Sequence, residues 1–150
     1  MFAVAGDVYR IVARGDETGN AFALLEATVL SGGGPPPHTH SREDEAFFVL
    51  EGAVTFVVEG RAQLAPAGAY VYAPRGVRHA FRNERAEPAR MLVHLSPAGF
   101  ERFFEEVGQK LDHPGPAAPP SMEHIERLIA VAPRYGVEIH TSSGPPERAP

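Results

Sequence analysis

The chain has 150 residues, which is the length of one domain and too short for two. It contains no cysteine, which excludes a disulfide framework, a thiolate nucleophile and a cysteine-ligated zinc or iron–sulfur site. The net charge of −5 is spread along the chain without a basic stripe, so we expect no nucleic-acid partner.

The amino terminus gives no sign of a targeting segment. MFAVAGDVYR lacks a basic region and reaches Asp7 before an apolar signal core could form. No hydrophobic run approaches the length of a membrane span. We therefore expect a cytoplasmic protein with no membrane partner.

The first predicted elements are two strands, at residues 8–13 and 21–30, separated by the turn-rich sequence GDETGN. The sequence GGGPPP then interrupts the series of predicted strands just before His38. Fifteen glycines and fifteen prolines fit a fold of many short strands joined by turns.

The segment GGGPPPHTHSREDEAFFVLEG carries the first cluster of candidate functional residues. Alternate residues of a strand point to one face, so His38 and His40 present two imidazoles side by side. Residues 45–50 are apolar and aromatic, which predicts the next strand. We expect Glu45, at its start, to face the same interior as Phe47.

Five more short strands are predicted before residue 96. Two of them form a hairpin whose turn is Glu59-Gly60, with glycine supplying a positive φ. The strands are residues 53–58, 61–65, 69–73, 79–82 and 90–95.

The segment GAYVYAPRGVRHAFRN carries a third candidate histidine, His79. Pro74 and Gly76 predict a turn that orients the strand carrying His79. Asn83 is interpreted as a turn residue rather than a ligand, because asparagine hydrogen-bonds its own backbone and tolerates unusual dihedral angles.

Three imidazoles and one carboxylate suit a divalent ion of iron, nickel, manganese, zinc, copper or cobalt. Four protein ligands leave a position for water, dioxygen or a substrate oxygen. Glu43 and Asp44 are alternative carboxylates, but both precede the apolar run and are expected in the turn. The predicted metal ligands are His38, His40, Glu45 and His79.

The two segments resemble the two signature motifs of the cupin superfamily, and the chain is similar to a small bacterial single-domain cupin. The resemblance implies an all-β fold, a jelly-roll barrel, here followed by two C-terminal α-helices. The matching positions are Gly32, His38, His40, Glu45, Gly52, Gly68, Pro74, Gly76, His79 and Asn83.

Among cupins, the chain is most similar to the quercetin dioxygenase-like proteins. That resemblance implies a metal held by three histidines and a glutamate, a small aromatic or enolic substrate, and dioxygen as co-substrate. Glu45 would also be catalytic, as the acceptor of a substrate hydroxyl proton. Two alternatives stay open, because fold does not imply function. They are a non-catalytic metal-containing ligand-binding or sensor protein, and a sugar-derivative isomerase or epimerase.

The cavity of such a barrel is expected to be apolar, and an isomerase would need additional cationic or amide groups in it. His94, on the strand RMLVHL, is the one further candidate, with an exterior position an equal alternative. The residues expected to form the apolar interior are Phe47, Val49, Tyr70, Tyr72, Phe81 and Met91.

After the barrel, SPAGFERFFEEVGQKL predicts an amphipathic helix with Ser96 as N-cap and Pro97 at its first position. A proline-rich connector at residues 112–120 follows, and a second helix begins after Ser121 and is ended or kinked by Pro133. The apolar stripe expected to pack on the barrel is Phe100, Phe103, Phe104 and Val107.

These elements predict one structural domain with three parts. Residues 1–95 form the barrel, residues 96–142 a helical extension packed on it, with a final short strand at 135–140, and residues 143–150 a flexible tail. We also expect a homodimer, because the apolar strand at 21–30 offers a surface to another copy.

Overall fold

The computed structural model describes residues 1–113 and 118–140, and within them two antiparallel sheets form the body of the protein. The predicted tail at 143–150 and part of the proline-rich connector lie outside the described residues. The strands are β1 (Phe2–Val4), β2 (Asp7–Ala13), β3 (Ala23–Val29), β4 (His38–His40), β5 (Asp44–Glu51), β6 (Ala53–Val58), β7 (Arg61–Pro66), β8 (Tyr70–Ala73), β9 (His79–Arg82), β10 (Ala89–Ser96), β11 (Gln109–Lys110) and β12 (Val137–Ile139).

One sheet has seven strands in the order β11-β1-β2-β3-β10-β5-β8, and the other has five in the order β12-β4-β9-β6-β7. This is the predicted all-β jelly roll, and every predicted strand is present. The sequence analysis missed β1 and β11, which have only three and two residues and show no alternation to detect.

The turn between β6 and β7 confirms the hairpin prediction. Glu59 and Gly60 both have positive φ angles, of 50° and 75°. Two successive positive φ values give a tight turn whose twist matches the right-handed twist of the flanking strands.

The core lies between the sheets and follows from alternation along the strands. In β3 and β10 every second residue is buried. Phe47 of β5 contacts Phe56 of β6 with ring centroids 4.9 Å apart, which joins the two sheets. Of the predicted interior residues, those found buried are Phe47, Val49, Phe81 and Met91.

The prediction that Tyr70 and Tyr72 face the interior is wrong. Their exposed fractions are 64% and 48%. Val71 and Ala73 of the same strand, β8, are buried instead. The register of β8 against β5 therefore turns both tyrosines toward solvent.

The first C-terminal helix, α1 (Glu101–Val107), is shorter than predicted, and Ser96 does not cap it. Ser96 is the last residue of β10, where it pairs with Asp44. Its hydroxyl donates a hydrogen bond to the carbonyl of Ala21 at 3.0 Å. Pairing with the sheet therefore overrides the local capping signal.

Glu101 organises the start of α1. It is 4% exposed, and its carboxylate accepts hydrogen bonds from the backbone N–H groups of Gly99 at 2.5 Å and Gly15 at 3.1 Å. Helix α1 ends at Gly108, and the chain then extends as β11 along β1.

The apolar stripe of this region is buried, as expected. Phe104 contacts Tyr9 of β2 with ring centroids 4.6 Å apart. Burial of each large apolar side chain contributes roughly 1.5–3 kcal/mol, so this packing holds α1 against the barrel. The buried side chains are Phe100, Phe103, Phe104 and Val107.

The second helix, α2 (Met122–Val131), begins where the sequence predicts it. The Ser121 hydroxyl accepts a hydrogen bond from the backbone N–H of His124 at 3.1 Å. A 3₁₀ turn containing Pro133 follows, and Gly136 ends it with a φ of 76°. No described helix is long and apolar enough to cross a membrane.

The chain then returns to the five-stranded sheet as β12. This strand pairs with β4, with Val137 opposite His40 and Ile139 opposite His38. The C-terminal part of the chain therefore supports the strand that carries the two neighbouring histidines.

The strand proposed as a dimer surface lies inside the seven-stranded sheet. β3 is hydrogen-bonded to β2 on one side and to β10 on the other, so it offers no free edge. The homodimer stays a prediction, but it cannot form by pairing of a second copy with an edge of β3.

Asp7 anchors the loop that leads from β3 to β4. Its two carboxylate oxygens accept hydrogen bonds from the backbone N–H groups of Leu30 at 3.0 Å and Gly34 at 2.8 Å. Burial raises the pKa of Asp7 from 3.8 to about 6, although both hydrogen bonds oppose the shift. The folded state therefore holds the Asp7 proton more tightly than the unfolded state does.

The raised pKa of Asp7 predicts that this residue makes the free energy of unfolding depend on pH. Its contribution to the free energy of unfolding is complete below pH 3.8 and is lost as the pH rises through 6. Two pKa units correspond to roughly 3 kcal/mol, which sets the upper limit of the effect. Urea denaturation at several pH values should show that Asp7→Asn lacks this component. Parallel pH profiles of the two proteins would contradict it.

Candidate metal centre

The four predicted ligands come together between the two sheets. His38 and His40 are the two ends of β4, and His79 begins β9, the neighbouring strand. His38 lies directly opposite His79 in the pairing of these strands. Glu45 reaches the same point from β5 in the other sheet. Alternation within β4 turns both of its histidines inward, where they are buried.

The carboxylate of Glu45 is the centre of the group. Its Oε2 atom lies 2.8 Å from Nε2 of His79, 3.3 Å from Nε2 of His40 and 4.0 Å from Nε2 of His38. One donor atom from each of the four residues lies within 4.8 Å of all the others. Donors on opposite sides of one ion are about 4.2 Å apart at bond lengths of about 2.1 Å. The group could therefore hold one metal ion after small inward movements.

The outer nitrogens of the three histidines are already engaged. Nδ1 of His38 lies 2.9 Å from the carbonyl of Pro36, and Nδ1 of His79 lies 3.0 Å from that of Val77. A carbonyl only accepts, so both Nδ1 atoms carry a proton. Nε2 of His38 therefore presents a lone pair to the centre, whereas Nε2 of His79 donates a hydrogen bond to Glu45 at 2.8 Å and would present its lone pair only after losing that proton to a bound metal. Nδ1 of His40 is 3.3 Å from the carboxylate of Glu43.

One buried side-chain nitrogen or oxygen atom in the described part of the chain lacks a hydrogen-bond partner, and it is Nε2 of His40. An unsatisfied buried polar group costs about 1–3 kcal/mol. A metal ion at the centre of the group would give this nitrogen its partner. The residues present therefore fit a metal ion.

Burial and charge set the ionisation of the group. Burial lowers the pKa of His38 to about 4 against the attraction of Glu45, so His38 is neutral at pH 7. Burial favours a higher pKa for Glu45, but the electrostatic effect of the His40 ring and the hydrogen bond from His79 outweigh it and lower the pKa to about 2. Burial also opposes a charge on His79, but its hydrogen bond to Glu45 prevails and raises its pKa. Metal binding would displace a proton from His79.

The two alternative carboxylates have other partners. Asp44 accepts hydrogen bonds from the backbone N–H of Arg75 at 2.9 Å and from its guanidinium at 3.2 and 3.1 Å, at the protein surface. Glu43 lies in the connection before β5, but it is only 4% exposed and approaches His40 from the outside. Its burial is a feature that the sequence analysis missed.

The turn residues of the second segment hold the strands in place. The backbone N–H of Gly76 donates to the carbonyl of His40 at 2.7 Å, and Gly76 has a φ of 79°. The buried Asn83 donates to the carbonyls of Val29 at 3.0 Å and Glu87 at 2.9 Å. Asn83 therefore stabilises loops, in agreement with its interpretation as a turn residue.

His94 lies on the outer face of the seven-stranded sheet. Its neighbours on β10, Val93 and Leu95, point into the core. The His94 ring stacks on Phe22 with centroids 5.0 Å apart. Of the two positions considered, the exterior one is correct, and His94 is not part of the candidate site.

A cavity of about 90 Å³ opens beside the four residues, with His38, His40 and Glu45 in its wall. The ring of Phe100 meets the His40 ring edge-to-face at 4.5 Å, so the residues around α1 close the cavity on one side. The remaining described side chains of its wall are Val4, Ala5, Asp7, Tyr9, Pro35, Pro36, Phe81, Val93, Phe103, Phe104, Ala132, Val137 and Ile139.

Comparison with known proteins agrees with this architecture. The cupin domain family model matches residues 25–95. Quercetin 2,3-dioxygenase of Bacillus subtilis (strain 168) is 27% identical over 106 residues, which cover 71% of this chain and 31% of that protein. Polyketide synthase CurC of Streptomyces cyaneus is 37% identical over 60 residues, covering 40% of this chain and 39% of that protein.

This chain therefore spans less than two fifths of the length of either curated relative. Among solved structures, KdgF from Halomonas sp. shares the fold with a TM-score of 0.59 at 22% identity. The superposition covers 65% of this chain and 84% of KdgF. The family match, the relatives and the shared jelly roll agree with the histidine and glutamate pattern, and the chain is a small protein of the cupin superfamily.

Proposed function

We propose that this protein binds one divalent transition metal ion through His38, His40, Glu45 and His79 and acts as a dioxygenase on a small aromatic or enolic molecule. The observation that carries the proposal is the group of four buried donors, three of which line an apolar cavity. Nitrogen and oxygen donors of this kind suit iron, nickel, manganese, zinc, copper or cobalt. When bound, the ion would supply a coordination site that polarises a substrate oxygen.

The cavity wall supports a neutral substrate. Among the described residues, no lysine or arginine lines the cavity, whereas the carboxylates of Asp7 and Glu45 do. Apart from a bound metal ion, an anionic group would find no cationic side chain among the described residues of the wall, and the carboxylate of Asp7 would repel it. The cavity is thus poorly suited to phosphorylated or acidic sugar derivatives, which counts against the isomerase alternative.

Glu45 has two roles in this proposal. Without a metal, its pKa of about 2 keeps the carboxylate ionised at neutral pH. As a ligand it would contribute one negative charge, and its carboxylate, which lines the cavity, would accept the proton of a substrate hydroxyl made acidic by the bound ion.

The size of the cavity sets a further condition. Sites for drug-sized ligands have volumes of about 300–1,000 Å³, several times the 90 Å³ found here. A ligand as large as a flavonol therefore requires movement of the aromatic wall formed by Phe100, Phe103 and Phe104. Smaller phenols and enols need less opening.

The test is oxygen uptake by protein loaded separately with each candidate metal. The panel contains flavonols, catechols and β-diketones, and hydroxylated polyketide aromatics because of the similarity to polyketide synthase CurC. We expect oxygen consumption with a neutral enol or phenol and its loss in Glu45→Gln. Tight binding of such a compound without oxygen consumption would favour the sensor alternative. Conversion of a sugar phosphate would contradict the proposal.

A further inference from the structure

Glu43 is a buried carboxylate outside the proposed ligand set. Its side chain is 5% exposed, and Oε2 lies 3.3 Å from Nδ1 of His40. Within the described residues, His40 is the one side chain within hydrogen-bond distance of the Glu43 carboxylate. A carboxylate removed from water costs several kcal/mol unless a positive charge compensates it. A neutral imidazole supplies a hydrogen bond but no such charge.

The three histidines therefore differ in the group that contacts Nδ1, the ring nitrogen that points away from the centre. His38 and His79 each face a backbone carbonyl, which orients the ring. His40 faces a carboxylate, which orients the ring and also places a negative charge against it. A carboxylate in this position raises the basicity of the opposite ring nitrogen toward a metal. That nitrogen, Nε2 of His40, is the buried atom without a partner.

We propose that Glu43 is a positioning residue that makes His40 the strongest electron donor of the three histidines and so tunes the charge of the site. The inference rests on the proposed function, because it requires a metal bound to Nε2 of His40. Glu43 and Glu45 place two carboxylates around a divalent cation bound there, one as a ligand and one against His40. Two carboxylates weaken the attraction of such a site for added anions, which agrees with the lack of lysine and arginine among the described residues of the cavity wall.

The first measurement is the affinity for Zn²⁺, by competition with a chromophoric chelator. We expect Glu43→Ala to weaken Zn²⁺ binding 10–100-fold, the usual effect of losing an outer partner of a metal ligand. Glu43→Gln should retain most of the affinity, because its amide oxygen still accepts the His40 Nδ1–H bond. The matched control is Asp44→Asn, which removes the adjacent carboxylate from a surface pair with Arg75 and should leave Zn²⁺ affinity unchanged.

The second measurement distinguishes the effect of the Glu43 charge from the effects of its size and its hydrogen bond. Proteins loaded with Co²⁺ are titrated with azide and followed by visible absorption. Replacing a carboxylate within about 8 Å by a neutral amide should tighten azide binding roughly 30-fold in Glu43→Gln, at an effective dielectric constant of about 20. Asp44→Asn loses the same formal charge at the surface, where solvent screens it, and should show no change.

The outcomes separate this inference from the proposed function. Metal binding by the wild type, with Glu43→Gln equal to it in azide titration, would overturn the inference and leave the metal site standing. A wild-type protein that binds no Zn²⁺ would overturn both. Circular dichroism of the metal-free variants checks folding, and the nearly isosteric Glu43→Gln keeps the test decisive if Glu43→Ala fails to fold.

Discussion

Replacement of His79 by alanine is expected to remove metal binding almost completely. The change deletes one of four donors and breaks the 2.8 Å hydrogen bond that orients the Glu45 carboxylate. It therefore disturbs two ligands at once. We expect a loss well beyond the 10–100-fold typical of an outer partner. His38→Ala should have a similar effect, because it also deletes a donor of the same group.

Elemental analysis after dialysis against a fixed free metal concentration measures this effect. The control is His94→Ala, since His94 stacks on Phe22 on the outer face and should keep full metal content. Glu45→Gln should be milder than either histidine variant, because an amide oxygen still binds metals, although it loses the negative charge. Wild-type stoichiometry in both His38→Ala and His79→Ala would refute the assignment of the ligands.

Truncation after Leu95 is expected to prevent folding to a stable, soluble protein. It removes the buried stripe around α1 and, with β12, the backbone partner of the histidine strand β4. It also removes Glu101, which binds the backbone of Gly15. Four large apolar side chains at roughly 1.5–3 kcal/mol each represent a large fraction of the 5–15 kcal/mol that stabilises a typical domain.

The matched control ends after His140. This chain retains β12 and the hydrogen bond from the His140 backbone N–H to the carbonyl of Pro37 at 2.8 Å. We expect it to have the melting temperature of the full chain, measured by circular dichroism. If the chain ending at Leu95 were soluble and equally stable, residues 96–140 would be an independent appendage and a role for them in partner binding would gain support.

The candidate site was accessible to sequence reasoning because its signals are local. The spacing His-X-His places two imidazoles on one face of any strand, and the apolar run after Glu45 predicts the carboxylate next to the buried part of the following strand. The capping hydroxyl of Ser121 and the positive φ of Gly60 are also local, and both predictions are confirmed.

Other features depend on partners that are distant in the sequence. Ser96 has a good capping signal, yet it pairs with Asp44 in the sheet and α1 starts later. Tyr70 and Tyr72 alternate like core residues, and only the register of β8 against β5 turns them outward. Glu43 resembles any acidic turn residue in the sequence, and only the structure shows that it is buried against Nδ1 of His40.

The sequence by itself therefore determined the strands, the tight turns and the identity of the four candidate ligands, because those follow from periodicity and spacing along one segment. Only the tertiary structure decided which side of each strand is buried, where α1 begins, how small the cavity is, and which carboxylate contacts Nδ1 of His40. It also showed that no lysine or arginine among the described residues lines that cavity. These properties arise where segments far apart in the chain meet, and no local pattern specifies the register in which they do so.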